Sequence, residues 1–294
     1  MRNFKSFFIL LLLTILAGLV FGHGQNYIAY EQQQDLVPLI LIITDDETLV
    51  LNCRRQEITQ DVRGRNVWKV INERKEIPAN EVAIIICDMW HTHYCRGAAE
   101  RVAEMAPRMN KVISAARKRG VTIIHAPSGT MKYYEGTPAR ERVKNAPHVE
   151  PPTPREHDDP PLPVDASEGG CDTTHDTEER TKVYIRQIET IEIDQERDCI
   201  SDKGQEIYNF MQQKDIKHVI IMGVHTNMCI LNRSFAIKQM VKWGVNIMLC
   251  RDLTDAMYNP EKPPYVSHEE GTRLVVEYIE KFWCPSVSSK DLGR

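Results

Sequence analysis

Short apolar runs alternate along this chain with longer segments in which apolar residues recur at helical spacing. Residues 82–87 (VAIIIC), 121–125 (VTIIH), 219–222 (VIIM) and 245–250 (VNIMLC) are short runs typical of strands buried on both faces. A further strand is expected within residues 183–193. Apolar residues at helical spacing predict helices over residues 98–119, 201–214, 229–244 and 267–282.

Ordinary end signals bound these helices. Gly120 and Gly244 are stops, Ser267 and Glu270 have capping-box spacing, and Pro107 either kinks the first helix or begins a second one. Strands that alternate with helices indicate a parallel sheet covered on both faces. We therefore predict an α/β fold: a three-layer, Rossmann-like, mainly parallel sheet of about six strands with helices on both faces.

The N-terminal residues differ from this alternation. Residues 7–21 form an almost unbroken apolar run behind Arg2 and Lys5, which is typical of an export signal ending near residue 22. An uncleaved membrane anchor is the alternative. Residues 23–80 form a predicted extension, in which residues 36–54 suggest a β-hairpin turning at Asp45 and Asp46. The main domain is expected to span residues 81–285, followed by a tail over 286–294.

Residues 131–180 lack apolar periodicity and contain the segment PPTPREHDDPPLP. A loop of this length within a compact domain is usually functional or disordered. It begins after the carboxyl end of a strand, where α/β sheets bind ligands. We interpret it as an insertion that covers the site, with a solvated loop as the alternative.

Composition narrows the possible partners. The chain has 42% hydrophobic residues, which suits a sizeable core, and its formal charge of −4 would become −6 without the basic leader. No long basic run follows the N-terminus, so nucleic acid is not an expected partner. The chain has eight cysteines, an even number that permits disulfides in an exported protein, although their pairing cannot be derived.

The chemistry is predicted where strands end. Cys229 follows the turn GVHTN, at a strand-to-helix junction where free backbone N–H groups and the helix dipole lower a thiol pKa. The turn, represented by Val224, His225 and Met228, offers N–H groups for an oxyanion. Asp88 ends another strand and can move the thiol proton, while Arg186 lies on the expected strand 183–193.

Two motifs carry a family resemblance. The segments AIIICDMW, with Asp88, and IIMGVHTNMC, with Cys229, resemble the isochorismatase-like cysteine hydrolases, which include nicotinamidases and N-carbamoyl amidohydrolases. Other segments, such as HAPSGTMKYYEGTPAR, resemble an uncharacterised bacterial subgroup of that superfamily. The resemblance implies a mainly parallel sheet, an Asp–Lys–Cys triad and a cis peptide bond, here Val224–His225. Relatives often form dimers or tetramers, so a homo-oligomer is possible.

The lysine of that triad has no direct match. The segment VYIRQIETIEI places Arg186 at the corresponding position, and Lys182 is the only lysine nearby. Arginine stabilises a thiolate but stays charged and cannot shuttle a proton. Either Arg186 supplies the charge alone, or Lys182 swings in.

Further side chains complete the predicted site. Those expected to line a substrate pocket are Trp90, His125, Tyr133, Tyr134 and Asn227. His91 and His93 follow Asp88 and are weak candidates for a metal site, although the nicotinamidase metal motif is not matched, so no cofactor is predicted.

The resulting function is an exported cysteine hydrolase that cleaves an amide or carbamoyl C–N bond of a small molecule through a Cys229 thioester. The alternatives are a non-catalytic binding protein that has lost the family lysine, and a metallohydrolase centred on Asp88, His91 and His93.

Overall fold

Eight strands form one sheet in this computed structural model, which describes residues 47–173 and 182–293. The strands are β1 (Thr48–Gln60), β2 (Asn66–Pro78), β3 (Val82–Cys87), β4 (Thr122–Ala126), β5 (Cys199–Ile200), β6 (His218–Val224), β7 (Asn246–Asp255) and β8 (Ser286–Val287). Their spatial order is β2-β1-β8-β7-β6-β3-β4-β5. From β8 to β5 all neighbours run parallel, so the parallel part has six strands, about the number expected, and an antiparallel hairpin adds two more.

Seven helices accompany the sheet in the described ranges. They are α1 (Arg96–Lys118), α2 (Met131–Tyr134), α3 (Pro138–Lys144), α4 (Gly204–Gln213), α5 (Cys229–Asn232), α6 (Ile237–Lys242) and α7 (His268–Phe282). The faces of β3 are divided between two apolar clusters: Ile84 belongs to the cluster that includes Met109 of α1, and Ile85 to the cluster that includes Phe210 of α4. This confirms the three-layer α/β fold and explains why the central strands are continuously apolar.

The hairpin lies further along the chain than predicted. β1 pairs with β2 over its whole length, and Asp61 caps the turn by accepting hydrogen bonds from the backbone N–H groups of Arg63 and Arg65. The turn therefore falls at residues 61–65, because Asp61 and Gly64, with φ of 74°, supply the required geometry. Residues 36–46 of the predicted hairpin lie outside the described residues, as does the predicted export signal.

The strand expected within residues 183–193 does not form, and β5 occupies that edge of the sheet instead. The alternating pattern was misleading, because Val183 and Ile185 are 44% and 58% exposed rather than facing a core. The segment is held by Gln187, which forms an isolated antiparallel bridge with Trp90. Arg186 consequently lies in irregular chain.

Two helix predictions also differ in detail. α1 continues through Pro107. The helix expected from Cys229 to Gly244 is broken into α5 and α6, because Arg233 turns to an extended conformation. The break frees Ser234, whose hydroxyl accepts a hydrogen bond from the backbone N–H of Gly204 at 2.9 Å, at the start of α4.

The insertion contains α2 and α3 and then runs irregularly to residue 173; residues 174–180 lie outside the described residues. A disulfide joins Cys95, just before α1, to Cys171 of the insertion. All described residues belong to one compact unit. A search of the described helices found none with the length and apolarity needed to span a membrane.

Candidate active site

Two neighbouring strands bring Asp88 and Cys229 together. β3 and β6 are paired in parallel with Cys87 opposite Gly223, so the residues that follow them emerge at the same sheet edge. Gly223 has φ of 114°, and a Cβ there would lie 2.1 Å from the carbonyl oxygen of Cys87. Only glycine therefore allows the two strand ends to approach this closely.

The Asp88 carboxylate is completely buried and multiply hydrogen-bonded. Its Oδ1 accepts from the backbone N–H of Ser128 at 2.7 Å, and its Oδ2 accepts from Nε and Nη2 of Arg233 at 2.9 and 2.8 Å. Burial raises the pKa of Asp88, while the Arg233 charge and hydrogen bonds from Cys229 and Ser128 oppose that rise. These groups favour the carboxylate in a site that burial would otherwise make neutral.

The Cys229 thiol lies beside the Asp88 carboxylate, close enough for each group to shift the pKa of the other. Burial, followed by the negative charge of Asp88, raises the pKa of Cys229 to about 12. The expected lowering of the thiol pKa by a helix N-terminus is therefore wrong. α5 is only four residues long, so its dipole is weak beside a buried carboxylate. The thiol rests protonated, with the Asp88 carboxylate beside it as the proton acceptor.

Arg233 supplies the cation beside Asp88, and the sequence analysis did not identify it. It lies four residues after Cys229, the spacing that places two side chains on one face of a helix. That spacing was the available signal. Burial acts to lower the pKa of Arg233, but the charges of Asp88 and Cys229 outweigh burial and raise it.

The prediction that Arg186 holds this position is corrected by the structure. Arg186 forms an ion pair with Glu189 at 2.7 Å, because its segment is not a strand ending at the site. Lys182 does not replace it: its ammonium hydrogen-bonds the carbonyl of Gly129 and lies 5.5 Å from the centre of the Tyr184 ring.

The turn before Cys229 is held by its own backbone and by the end of β7. The Val224–His225 peptide bond is cis, as the family resemblance implies. The N–H of Met228 donates to the carbonyl of His225 at 3.0 Å. The prediction that this N–H is free to bind an oxyanion is therefore wrong. Among the described residues, the N–H groups of Asn227 and Cys229 donate to no backbone carbonyl, which makes them the better candidates.

Asn227 anchors this turn rather than lining a pocket. Its side chain is buried, donates to the carbonyl of Met257 at 2.9 Å and accepts from the N–H of Met257 at 2.8 Å. Both hydrogen-bonding ends of the amide are therefore used by the protein.

Aromatic side chains flank the Asp88–Arg233 pair. The Trp90 and Tyr184 rings are stacked with centroids 4.1 Å apart, and the guanidinium of Arg233 lies 6.0 Å from the centre of the Trp90 ring. Burial, followed by the Asp88 charge, raises the pKa of Tyr184, and the Arg233 charge opposes that rise. Tyr184 is thus a site residue that sequence reasoning missed.

Three predicted pocket residues lie elsewhere. His125 is buried between Gln187 and Asp198, at 3.1 and 3.0 Å, and supports the irregular segment. The Tyr134 hydroxyl accepts from the N–H of Gln187, and Tyr133 is 54% exposed beside it. These side chains are used in packing because the segment crosses over them.

Two neutral imidazoles lie beside the turn. The rings of His93 and His225 meet edge to face with centroids 5.1 Å apart. Burial lowers the pKa of His93 to about 4 and that of His225 to about 3. Nε2 of His225 is buried without a hydrogen-bond partner in the described structure. An unpaired buried polar atom is costly, so this nitrogen is a candidate contact for a bound molecule.

No metal group forms around Asp88, His91 and His93 in the described part of the chain. Nδ1 of His91 instead lies 3.2 Å from the carbonyl oxygen of Arg186. The set of potential ligands found within residues 47–173 and 182–293 is Cys95, Cys171 and Asp172, in which the two sulfurs are joined as a disulfide.

Comparisons with known proteins concern the fold. No protein-family model and no curated protein matches this chain. It is similar to a solved cysteine hydrolase from Pseudomonas syringae pv. phaseolicola, with 17% identity and a TM-score of 0.46 over 74% of this chain and 93% of that one. It is also similar to an isochorismatase family protein from Burkholderia thailandensis, with 11% identity and a TM-score of 0.41 over 73% and 94%.

At these identities and TM-scores, the similarities assign no activity by themselves.

Proposed function

We propose that this chain is a cysteine hydrolase that cleaves an amide or carbamoyl C–N bond of a small molecule. The observation that carries the proposal is the convergence of Cys229 and the buried Asp88 carboxylate at the ends of two paired parallel strands, with Arg233 bound to that carboxylate at 2.8 and 2.9 Å. A raised thiol pKa fits a nucleophile that is deprotonated during attack by its own base rather than one stored as a thiolate.

The reaction needs one proton carrier. As the Cys229 sulfur bonds to the carbonyl carbon, its proton passes to Asp88, and the N–H groups of Asn227 and Cys229 stabilise the oxyanion. Asp88 then protonates the departing nitrogen as the C–N bond breaks, leaving a thioester. Water attacks that thioester and gives its proton to Asp88, which returns it to the sulfur as the acid is released.

Arg233 has an electrostatic part in this cycle. It stays charged throughout, so it keeps Asp88 able to accept a proton without taking part in proton transfer. The family lysine is thus replaced by an arginine that reaches the carboxylate from the end of α5 instead of from a neighbouring strand. The stacked Trp90 and Tyr184 rings would contact a flat part of the substrate, and Nε2 of His225 would bind a polar group on it.

The test is a screen of small amides and carbamoyl compounds with the purified chain and two variants. Cys229→Ala should reduce turnover to background, and Asp88→Asn should lower kcat/KM by about 10²–10⁴-fold, the range for losing a general acid–base. Cys53→Ala, which removes a buried free thiol in β1, is the matched control and should retain activity. Turnover that survives in Cys229→Ala would rule out a thioester.

A non-catalytic binding protein is the second candidate, favoured by the absence of the family lysine. Its distinguishing result would be an inactive natural chain in which Arg233→Lys creates hydrolysis. A metallohydrolase predicts loss of turnover after dialysis against a chelator, whereas the proposed mechanism predicts none.

We also propose that the protein is exported. The N-terminal basic and apolar segment supports this, and so does the Cys95–Cys171 disulfide, since disulfides persist mainly in oxidising compartments. Fractionation of cells that express the full chain, with N-terminal sequencing of the product, would test it.

A further inference from the structure

The outer edge of the sheet is formed by β2, which is long and exposed. β2 has 13 residues, corresponding to about 43 Å of strand, and it stands last in the sheet order. In the part of the chain that the structure describes, β1 is its only strand partner. An exposed edge of this length presents unpaired backbone N–H and C=O groups along its free side, and such an edge readily pairs with another strand.

Apolar side chains accompany this edge. Val67, Trp68 and Val70 of β2 are 38%, 42% and 48% exposed, and Ile58 of β1, opposite Trp68, is 55% exposed. Trp68 meets Phe282 of α7 edge to face, and the Lys281 ammonium lies 5.5 Å from the centre of its ring. Neighbouring exposed apolar residues at a strand edge are typical of a surface that another chain covers.

The sequence of β2 is complementary to itself in one antiparallel register. A two-fold axis perpendicular to the sheet pairs residues of equal parity, because directly opposed side chains share a face. With the axis at Ile71, Lys69 faces Glu73 of the second copy and Trp68 faces Arg74. Each of these contacts occurs twice, and no like charges are opposed.

The two registers on the C-terminal side of this one oppose like charges. With the axis at Asn72, Lys69 would face Lys75, and with the axis at Glu73 that residue would face its own copy. Like charges directly opposite each other destabilise strand pairing, whereas opposite charges and a cation beside an aromatic ring stabilise it.

We propose that two copies of this chain pair edge to edge through β2, with the two-fold axis at Ile71, to form one continuous sheet of sixteen strands. The pairing supplies partners for the free backbone groups and covers Val67, Trp68 and Val70. It lies on a surface separate from Asp88 and Cys229, so it stands or falls independently of the proposed chemistry.

A charge exchange tests this register. Light scattering coupled to size exclusion should give the natural chain twice its denatured mass. Lys69→Glu and Glu73→Lys, each alone, should raise the dimer dissociation constant by roughly tenfold or more, since each places two like-charge pairs at the interface. The double variant Lys69→Glu/Glu73→Lys restores opposite charges and should restore the dimer.

Lys111→Glu makes the same charge change on an exposed position of α1 and should leave the dimer intact. A monomeric natural chain would overturn the proposal, as would single variants that dimerise normally or a double variant that fails to recover. A monomer that dimerises only after residues 1–44 are deleted would also overturn it, because that segment would then be the occupant of the edge.

Discussion

At the scale of single residues, the site depends on where one proton rests. The Cys229 thiol has a pKa of about 12 because burial and the Asp88 charge both disfavour a thiolate. The thiol is therefore quiet in the free protein and becomes reactive when a substrate carbonyl is attacked while Asp88 takes the proton.

Alkylation reports this resting state directly. We expect iodoacetamide to label Cys229 with a pH midpoint well above the ordinary thiol value of about 8.5. In Asp88→Asn the charge that disfavours the thiolate is gone, so the midpoint should fall. Peptide mass spectrometry follows the modification. A midpoint below about 8.5 in the natural chain would contradict a thiol pKa that is raised by burial and by Asp88.

Arg233 determines the acidic limb of the pH–rate profile. Asp88 must be ionised to accept the proton, so activity rises with pH through the pKa of Asp88. Burial raises that pKa and Arg233 lowers it. Arg233→Met should therefore move the acidic limb of kcat/KM to higher pH, whereas Arg233→Lys keeps the charge and should move it less.

Arg186→Met is the matched control for that experiment. Because Arg186 pairs with Glu189 and makes no described contact with Asp88, its removal should leave the acidic limb in place. A shift of equal size in Arg186→Met and Arg233→Met would mean that Asp88 senses net charge rather than a specific contact.

Residue types at the site were partly predictable from the sequence. Asp88 and Cys229 follow apolar strands, and their convergence follows from parallel pairing. Arg233 was missed because the cation was expected on a strand. Its spacing of four residues from Cys229 matches about one turn of a helix and was the available signal. Tyr184 could not be found, because its contact with Trp90 depends on the path of an irregular segment.

At the scale of elements, a strand buried on both faces was predictable from the sequence, whereas the structure of a partly exposed segment was not. Residues 82–87 were predicted with their observed limits because every side chain is buried. The period of residues 183–193 resembles a strand, but Val183 and Ile185 face solvent while Ile191 is buried, and nothing in the local pattern reveals this. β5 and β8 have two residues each, too short for any periodicity.

The break between α5 and α6 has a testable steric origin. A Cβ on Gly204 would lie 2.0 Å from the backbone oxygen of Ser234, so Gly204→Ala must push apart α4 and the segment after Arg233. We expect it to lower the free energy of unfolding by about 1–3 kcal/mol, the range for overpacking, and to reduce activity by displacing Arg233.

Denaturant unfolding measures the stability change. Gly293→Ala provides the control, since its nearest contact at 3.8 Å is ordinary and the variant should unfold like the natural chain. Equal stability of Gly204→Ala and Gly293→Ala would show that the segment yields without cost.

At the scale of the whole molecule, the insertion is fastened close to the turn that carries Cys229. The Cys95–Cys171 disulfide closes a loop of 76 residues in sequence. Next to it, Asp172 and Asp255 share Arg101, with distances of 2.7 and 2.9 Å, and the Asp255 carbonyl accepts from the N–H of Thr226 at 2.9 Å. A covalent bond and an ion-pair network thus fasten the insertion near the turn that carries Cys229.

Reduction of this disulfide should destabilise the fold. For a loop of this length, chain entropy gives about 4 kcal/mol as the loss in unfolding free energy. Thermal unfolding with and without a thiol reductant measures it. The double variant Cys95→Ala/Cys171→Ala should already be destabilised and should no longer respond to the reductant; a response in that variant would assign the effect to another sulfur.

The placement of Cys229 at the start of α5 and of Arg233 directly after its end has a consequence for recognising similar proteins. The nucleophile and the cation belong to one short sequence motif, Cys-x-x-x-Arg, which directly follows Gly-Val-x-Thr-x-x. A search of genomes for this motif, in sequences that lack a lysine at the position of Arg186, would sort proteins by the element that carries the positive charge. It would do so before any of their substrates is known.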